Sequence, residues 1–187
     1  MSQFEYLSVL VSIIIGLALT QLLSGAARLI QRRRRIRMHA ATLCWMLVLF
    51  LVDIQVWWVA FERRGREDWE YFSFLLYLLI PVTLFLLNYL VLPDLDDPHA
   101  TDLGANFDAN RGWFFGLLTA VPMLSLAEQF VRDGFLPADA DVGFRVAFGV
   151  AALAAARIGN ARYQFWNAVT VLGLFLAYVA TLFVRLK

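Results

Sequence analysis

Residues 4–30 read FEYLSVLVSIIIGLALTQLLSGAARLI, from Phe4 to Ile30, and end against Gln31-Arg32-Arg33-Arg34-Arg35-Ile36-Arg37. So long an apolar run makes about 40 Å of helix, more than the roughly 30 Å hydrocarbon core of a bilayer. Its length and the lack of a basic segment before it mark it as a membrane span rather than a cleaved leader, and it should tilt or protrude. Further apolar runs follow at residues 40–61, 71–92, 113–131, 142–158 and 165–183. The expected fold is an all-α integral membrane bundle of about six transmembrane helices in a single domain spanning residues 1–187. The span at 142–158 is the least regular, being short, rich in alanine and interrupted by Arg145.

Composition agrees. Apolar residues make up 61% of the 187 residues, and the mean hydropathy is +0.67. A soluble domain sits nearer 45–50% apolar, and a chain this short could not hide the excess in a water-soluble core. The formal net charge is +1, so nothing points to a nucleic-acid partner. Cys44 is the single cysteine, which excludes an internal disulfide and CxxC redox or zinc chemistry. Lys187 is the only lysine in a chain otherwise basic through arginine, a usage associated with high-GC bacterial coding. The plasma membrane of a bacterium is the expected location.

Charge lies mostly between the runs. Placing Arg32, Arg33, Arg34, Arg35 and Arg37 in the cytoplasm follows the positive-inside rule and puts the N-terminus outside. There the arginines would meet anionic lipid headgroups, each at about 1 kcal/mol near the surface, or pair with the acidic loop from Asp94 to Arg111 on the same side. That loop, with Asp94, Asp96, Asp97, His99 and Asp102, has oxygen donors suited to hard cations, yet its spacing fits no EF-hand. It reads first as a solvated loop. Trp57, Trp58, Trp69 and Tyr71 are expected at one membrane interface, and Trp45, Trp113, Tyr163 and Trp166 at the other.

Two stripes of small residues recur at every fourth position: Ser12, Gly16, Thr20 and Ser24 in the first span, Ala147, Ala151 and Ala155 in the fifth. Such stripes let helix backbones approach closely in lipid. The first and fifth spans are therefore expected to cross each other; a homo-oligomer contact is the alternative. Pro81 and Pro122 inside spans three and four predict kinks. Six spans would also permit two inverted three-helix halves, for which Tyr71-Phe72-Ser73-Phe74 and Tyr163-Gln164-Phe165-Trp166 are a loose internal echo.

Polar groups at membrane depth are the candidate site. Asp53, within Leu47-Val48-Leu49-Phe50-Leu51-Val52-Asp53-Ile54, needs a cation, water or a proton. Asp53, Gln55, Glu128, Gln129 and Arg145 are expected in the outer half of the bundle, with Arg145 as the counter-charge for which Asp53 and Glu128 compete. Thr20, Gln21, Ser24, Asn88 and Asn167 are expected in the inner half. Asp53, Gln55, Glu128 and Arg145 read either as a substrate or proton site or as a structural ion pair locking spans two, four and five. No GxSxG, HExxH, P-loop or GxGxxG occurs, and no cofactor is expected.

The opening, Phe4-Glu5-Tyr6-Leu7-Ser8-Val9-Leu10-Val11-Ser12 through Gly16 to Leu23-Ser24-Gly25 and the arginine run, resembles a family of small uncharacterised bacterial polytopic membrane proteins. The resemblance covers mainly the first hairpin, to about Trp57-Trp58. It implies a membrane location and carries no activity or site residue. The leading functional expectation is a small channel- or transporter-like protein. The alternative is an accessory membrane protein that binds a partner or self-assembles. A membrane enzyme acting on lipid, through Asp96 and Asp97, comes third.

Overall fold

The structure is a computed structural model, which describes residues 3–61, 64, 69–94 and 102–182. Among the described residues six α-helices follow one another: α1 (Gln3–Arg32), α2 (Ala40–Ala60), α3 (Tyr71–Leu90), α4 (Leu103–Asp133), α5 (Ala140–Arg157) and α6 (Ala161–Leu182). Five of them, all but α5, are long and apolar enough to cross a membrane. The chain is an all-α, multi-pass membrane bundle.

Local chemistry sets the helix ends. Asp102 starts α4 by accepting the Gly104 and Ala105 N–H groups at 2.7 and 3.2 Å. Gly134, at φ 75°, stops that helix in the left-handed conformation that glycine adopts without a Cβ penalty. Asp139 caps α5 through the Val142 N–H, and Asn160 caps α6 through Arg162 and Tyr163. The cap at Asp102 moves the fourth helix ahead of Trp113, where the apolar run begins. The extra turns are amphipathic: Leu103 and Phe107, one turn apart, are both buried, and Phe107 packs on His39, Phe114 and Phe115.

Successive helices run antiparallel. The start of α4 is tied to the end of the α1–α2 connection by the Leu103 N–H donating to the Arg37 carbonyl. Asp141 at the start of α5 meets Tyr178 near the end of α6, while Gln164 at the start of α6 reaches the carbonyls of Ala155 and Ile158 at the end of α5. The helix α5 thus runs antiparallel beside α6. Its principal packing is against α4 and α6. Helices α1 and α3 run parallel and in contact, with Asn88 against Ala18 and Leu92 against Gly25. In the first three helices every pair packs together, whereas among the described residues α4 and α6 share no comparable packing. The two halves therefore pack differently. Helices α3 and α4 each continue through their internal proline.

The expected crossing of the first and fifth spans gives way to other partners. The buried line of α1 is Val11, Ile15, Ala18, Leu22 and Leu29, and it faces α3 and α2. Ser12, Gly16, Thr20 and Ser24 lie on the exposed face, and Thr20 spends its hydroxyl on the Gly16 carbonyl at 2.7 Å. Along α5, Ala147 is exposed, Ala151 half-buried and Ala155 fully buried. The buried end of that stripe admits α6 closely enough for Asn167 to donate to the Ala151 carbonyl and Gln164 to that of Ala155. Trp45 departs from its expected interfacial place: it is fully buried, with edge-on contacts to Phe114 and Phe115. Trp113 and Trp166 are well exposed.

Candidate functional site

Two clusters of polar side chains stand out among the described residues, one centred on Asp53 and one on Arg145. Asp53, fully buried on α2, accepts a hydrogen bond from the Asn88 amide of α3 at 2.7 Å. The same amide nitrogen donates to the Ala18 carbonyl of α1 at 3.1 Å, so one side chain joins three helices. The second carboxylate oxygen of Asp53 and the amide oxygen of Asn88 have no hydrogen-bond partner among the described residues. A polar atom in that position is costly unless something supplies a proton, a cation or water.

Arg145 does not serve Asp53. Its guanidinium bonds Asp141 one turn away on α5, Gln129 at 2.7 Å and Ser125 at 3.1 Å on α4. Asp141 in turn accepts the Tyr178 hydroxyl at 2.8 Å. Glu128, fully buried, lies 3.8 Å from Arg132 rather than against Arg145. The expected competition of Asp53 and Glu128 for Arg145 is thus replaced by three separate arrangements. The Arg145–Asp141 pair was legible as charges four apart on one helix, a spacing that puts them on the same face. Asn88 does not lie at a different depth from Asp53; the axial offset of α3 brings them level.

Two cavities flank the Asp53 group. One, of about 220 Å³, is polar and lies toward the C-terminal end of α3, lined by Gln21, Gly25, Arg28, Asn88, Tyr89 and Asp94. The other, of about 160 Å³, lies toward the N-terminal end of α3. Its walls are largely apolar, from Val52, Leu84, Val121, Phe148 and Phe175 among others, and Gln55 and Arg145 are its principal polar members. Leu84 lines the apolar cavity and Asn88 the polar one. Four residues of helix rise by ~6 Å, so the two spaces stop about one turn apart along α3. Val52 lines the apolar space, and its neighbour Asp53 bonds the Asn88 that closes the polar one.

Outside the helices, the arginine run meets the acidic segment at Arg37 and Asp102. Arg37 and Asp102 form an exposed ion pair at 3.5 Å, a contact worth little by itself. The Asp102 carboxyl is held below the usual carboxylate range, first by the Ala105 N–H and also by Gly104 N–H and the Arg37 charge, against a smaller opposing effect of desolvation. Asp96, Asp97 and His99 lie outside the described residues. Among the described residues no three His, Cys, Asp or Glu side chains converge as metal ligands.

No known family model matches the chain, and no curated protein or solved structure does.

Proposed function

We propose that the protein is a small transporter-like carrier in which Asp53 is the proton- or cation-accepting group. One observation carries this reading: two cavities toward opposite ends of α3 stop a single helical turn apart, and a buried carboxylate with an unpartnered oxygen stands in the wall between them. Neutral residues would seal such a wall at lower cost; a carboxylate there is suited to gaining and losing a positive charge. Asn88 holds α1, α2 and α3 together through that carboxylate, so neutralising Asp53 weakens the tie and changes how the three helices close the wall.

The setting is a bacterial plasma membrane with Arg32, Arg33, Arg34, Arg35 and Arg37 in the cytoplasm and the N-terminus outside. The polar cavity then faces the cytoplasmic half and the apolar cavity the outer half. The arginines contact anionic headgroups on the cytoplasmic leaflet.

The test needs no knowledge of the cargo. In a Cys44→Ser background, single cysteines at Gln21 and Leu84 are labelled with a membrane-impermeant thiol reagent in liposomes, normalised to denatured protein at the same pH. Acidification is expected to change the ratio of labelling between the two positions, and Asp53→Asn to hold that ratio fixed. A pH-dependent ratio that survives Asp53→Asn sinks the proposal.

A second reading, self-assembly, has one observation in its favour: the small-residue face of Ser12, Gly16, Thr20 and Ser24 on the outside of α1. If that face is an interface between copies, Gly16→Leu lowers the oligomeric mass in detergent. An unchanged mass removes this reading.

A further inference from the structure

The polar cavity carries charge of both signs at its outer end. Helices α1 and α3 run parallel, held in register by Asn88 on the Ala18 carbonyl and by Leu92 on Gly25. Beyond the second contact α1 continues to Arg28, and the chain leaving α3 reaches Asp94 two residues on. Both residues line the cavity, one from the α1 side and one from the α3 side, and both keep accessible surface: Arg28 is half-buried and Asp94 exposed. Gln21, also half-buried, lines the inner end two turns before Arg28.

A head with one charge of each sign matches such an opening. A lone anion would face Asp94 and a lone cation Arg28, and like charges brought together are costly. Size narrows the choice. If roughly 150 Å³ holds the six carbons of benzene, the about 220 Å³ here holds about nine heavy atoms. Phosphoethanolamine has about eight by the same measure, and the choline head, with about three more carbons, exceeds the space.

An apolar track leads to the same opening. Tyr89, on the cavity rim, is 61% exposed, and Leu86, Leu79, Leu75 and Phe72 continue its face along α3, all exposed. From Tyr89 to Leu79 the helix rises about 15 Å, half of the roughly 30 Å hydrocarbon core and so the depth of one leaflet. A soluble zwitterion would leave that track unused; a lipid with its head in the cavity lays its chains along it.

We infer that the polar cavity seats the headgroup of an ethanolamine phospholipid, its phosphate toward Arg28, its ammonium toward Asp94 and its acyl chains along the exposed stripe of α3. The ammonium donates N–H bonds to a carboxylate, and a quaternary choline has none to give. The site goes beyond the carrier reading and does not need Asp53 to take up a charge.

Protein freed of lipid in a nonionic detergent is mixed with equal amounts of ethanolamine and choline phospholipids of identical chains. The lipids retained on the intact protein are identified by native mass spectrometry. The ethanolamine lipid is expected to lead by at least about tenfold, the ratio that one charge-assisted hydrogen bond gives. Asp94→Asn keeps the size of an exposed side chain, so the fold is retained, and the lead falls to within about threefold. Arg28→Gln lowers retention of the ethanolamine lipid at least about tenfold. Glycerophosphoethanolamine, the same head without chains, displaces no lipid when added at the lipid concentration. The inference is overturned if the parent protein retains both lipids equally, a comparison that needs no variant, or if either variant behaves as the parent. Displacement by the chainless head also overturns it and would make the cavity a site for a soluble zwitterion. No transport step enters the assay, so its outcome is separate from the role of Asp53.

Discussion

Replacing Asn88 by leucine tests the central contact most directly. Leucine is close to asparagine in size, so the change leaves little cavity and removes the polar interaction almost alone. Two bonds go: one to the Asp53 carboxylate at 2.7 Å and one to the Ala18 carbonyl at 3.1 Å. Hydrogen bonds between membrane helices measured by double-mutant cycles average about 0.6 kcal/mol and reach about 1.7. A bond to a charged group is worth ~1.5–3 kcal/mol, and removing one side of a buried pair strands the other. The single variant should therefore lose about 2–3 kcal/mol, above the ordinary interhelical range. Asp53→Leu should lose less, because Asn88 keeps the Ala18 carbonyl. The double variant, with both polar groups gone, should lie within about 1 kcal/mol of the parent. The assay is reversible unfolding in mixed micelles, with all four proteins compared at one pH. Additive losses in the double variant would refute the claim that these side chains are held in place by each other.

Other expectations follow from single sites. Gly16 lies on the exposed face of α1, and a Cβ there would meet nothing within 4 Å. Gly16→Ala should stabilise by about 0.5–1 kcal/mol in the same unfolding assay. At the other stripe, Ala155→Leu forces extra atoms into a fully buried contact with α6 and should destabilise by about 1–3 kcal/mol. Asp102→Ala removes the α4 cap and should fray the first turn of that helix. Because the folded protein holds the Asp102 carboxyl below its ordinary value, its contribution is complete above the unfolded pKa of about 4 and lost as pH falls through the lower folded value. Amide exchange at Gly104 and Ala105 should accelerate in that acid window in the parent. In Asp102→Ala it should be fast at every pH.

The helices that could be read from the sequence were those whose apolar run dominated the local composition. Residues 103–111 escaped because Asn106, Asp108, Asn110 and Arg111 hide an i, i+4 pair, Leu103 and Phe107, that a helix-period search over this short stretch would favour. Asp53 was visible as a charge in an apolar run. Its partner was not, because depth reckoned from helix ends assumes that every helix is centred in the same slab. The offset of α3 is fixed instead by contacts such as Leu92 on Gly25. The small-residue stripes marked places where something can come close but carried no address: that of α1 faces outward, and that of α5 turns from exposed to buried along its length. Arg145 reads from the sequence as a charge needing a partner, and the nearest carboxylate, Asp141 four residues away on its own helix, supplies it.

The polar character of α5 bears on how the chain enters a bilayer. With Asp141 in its first turn, Arg145 one turn further in and Arg157 in its last, this 18-residue helix falls short of the length and apolarity of the other five. The groups that make its burial tolerable come from elsewhere: Ser125 and Gln129 precede it in synthesis, while Tyr178, Gln164 and Asn167 follow it. A nascent chain arrested after Arg157 is therefore expected to hold α5 at the membrane surface until α6 emerges to pack on it. Glycosylation acceptor sites placed in the turn at 158–160 would show, as a length-dependent switch during synthesis, whether that segment changes side when α6 emerges.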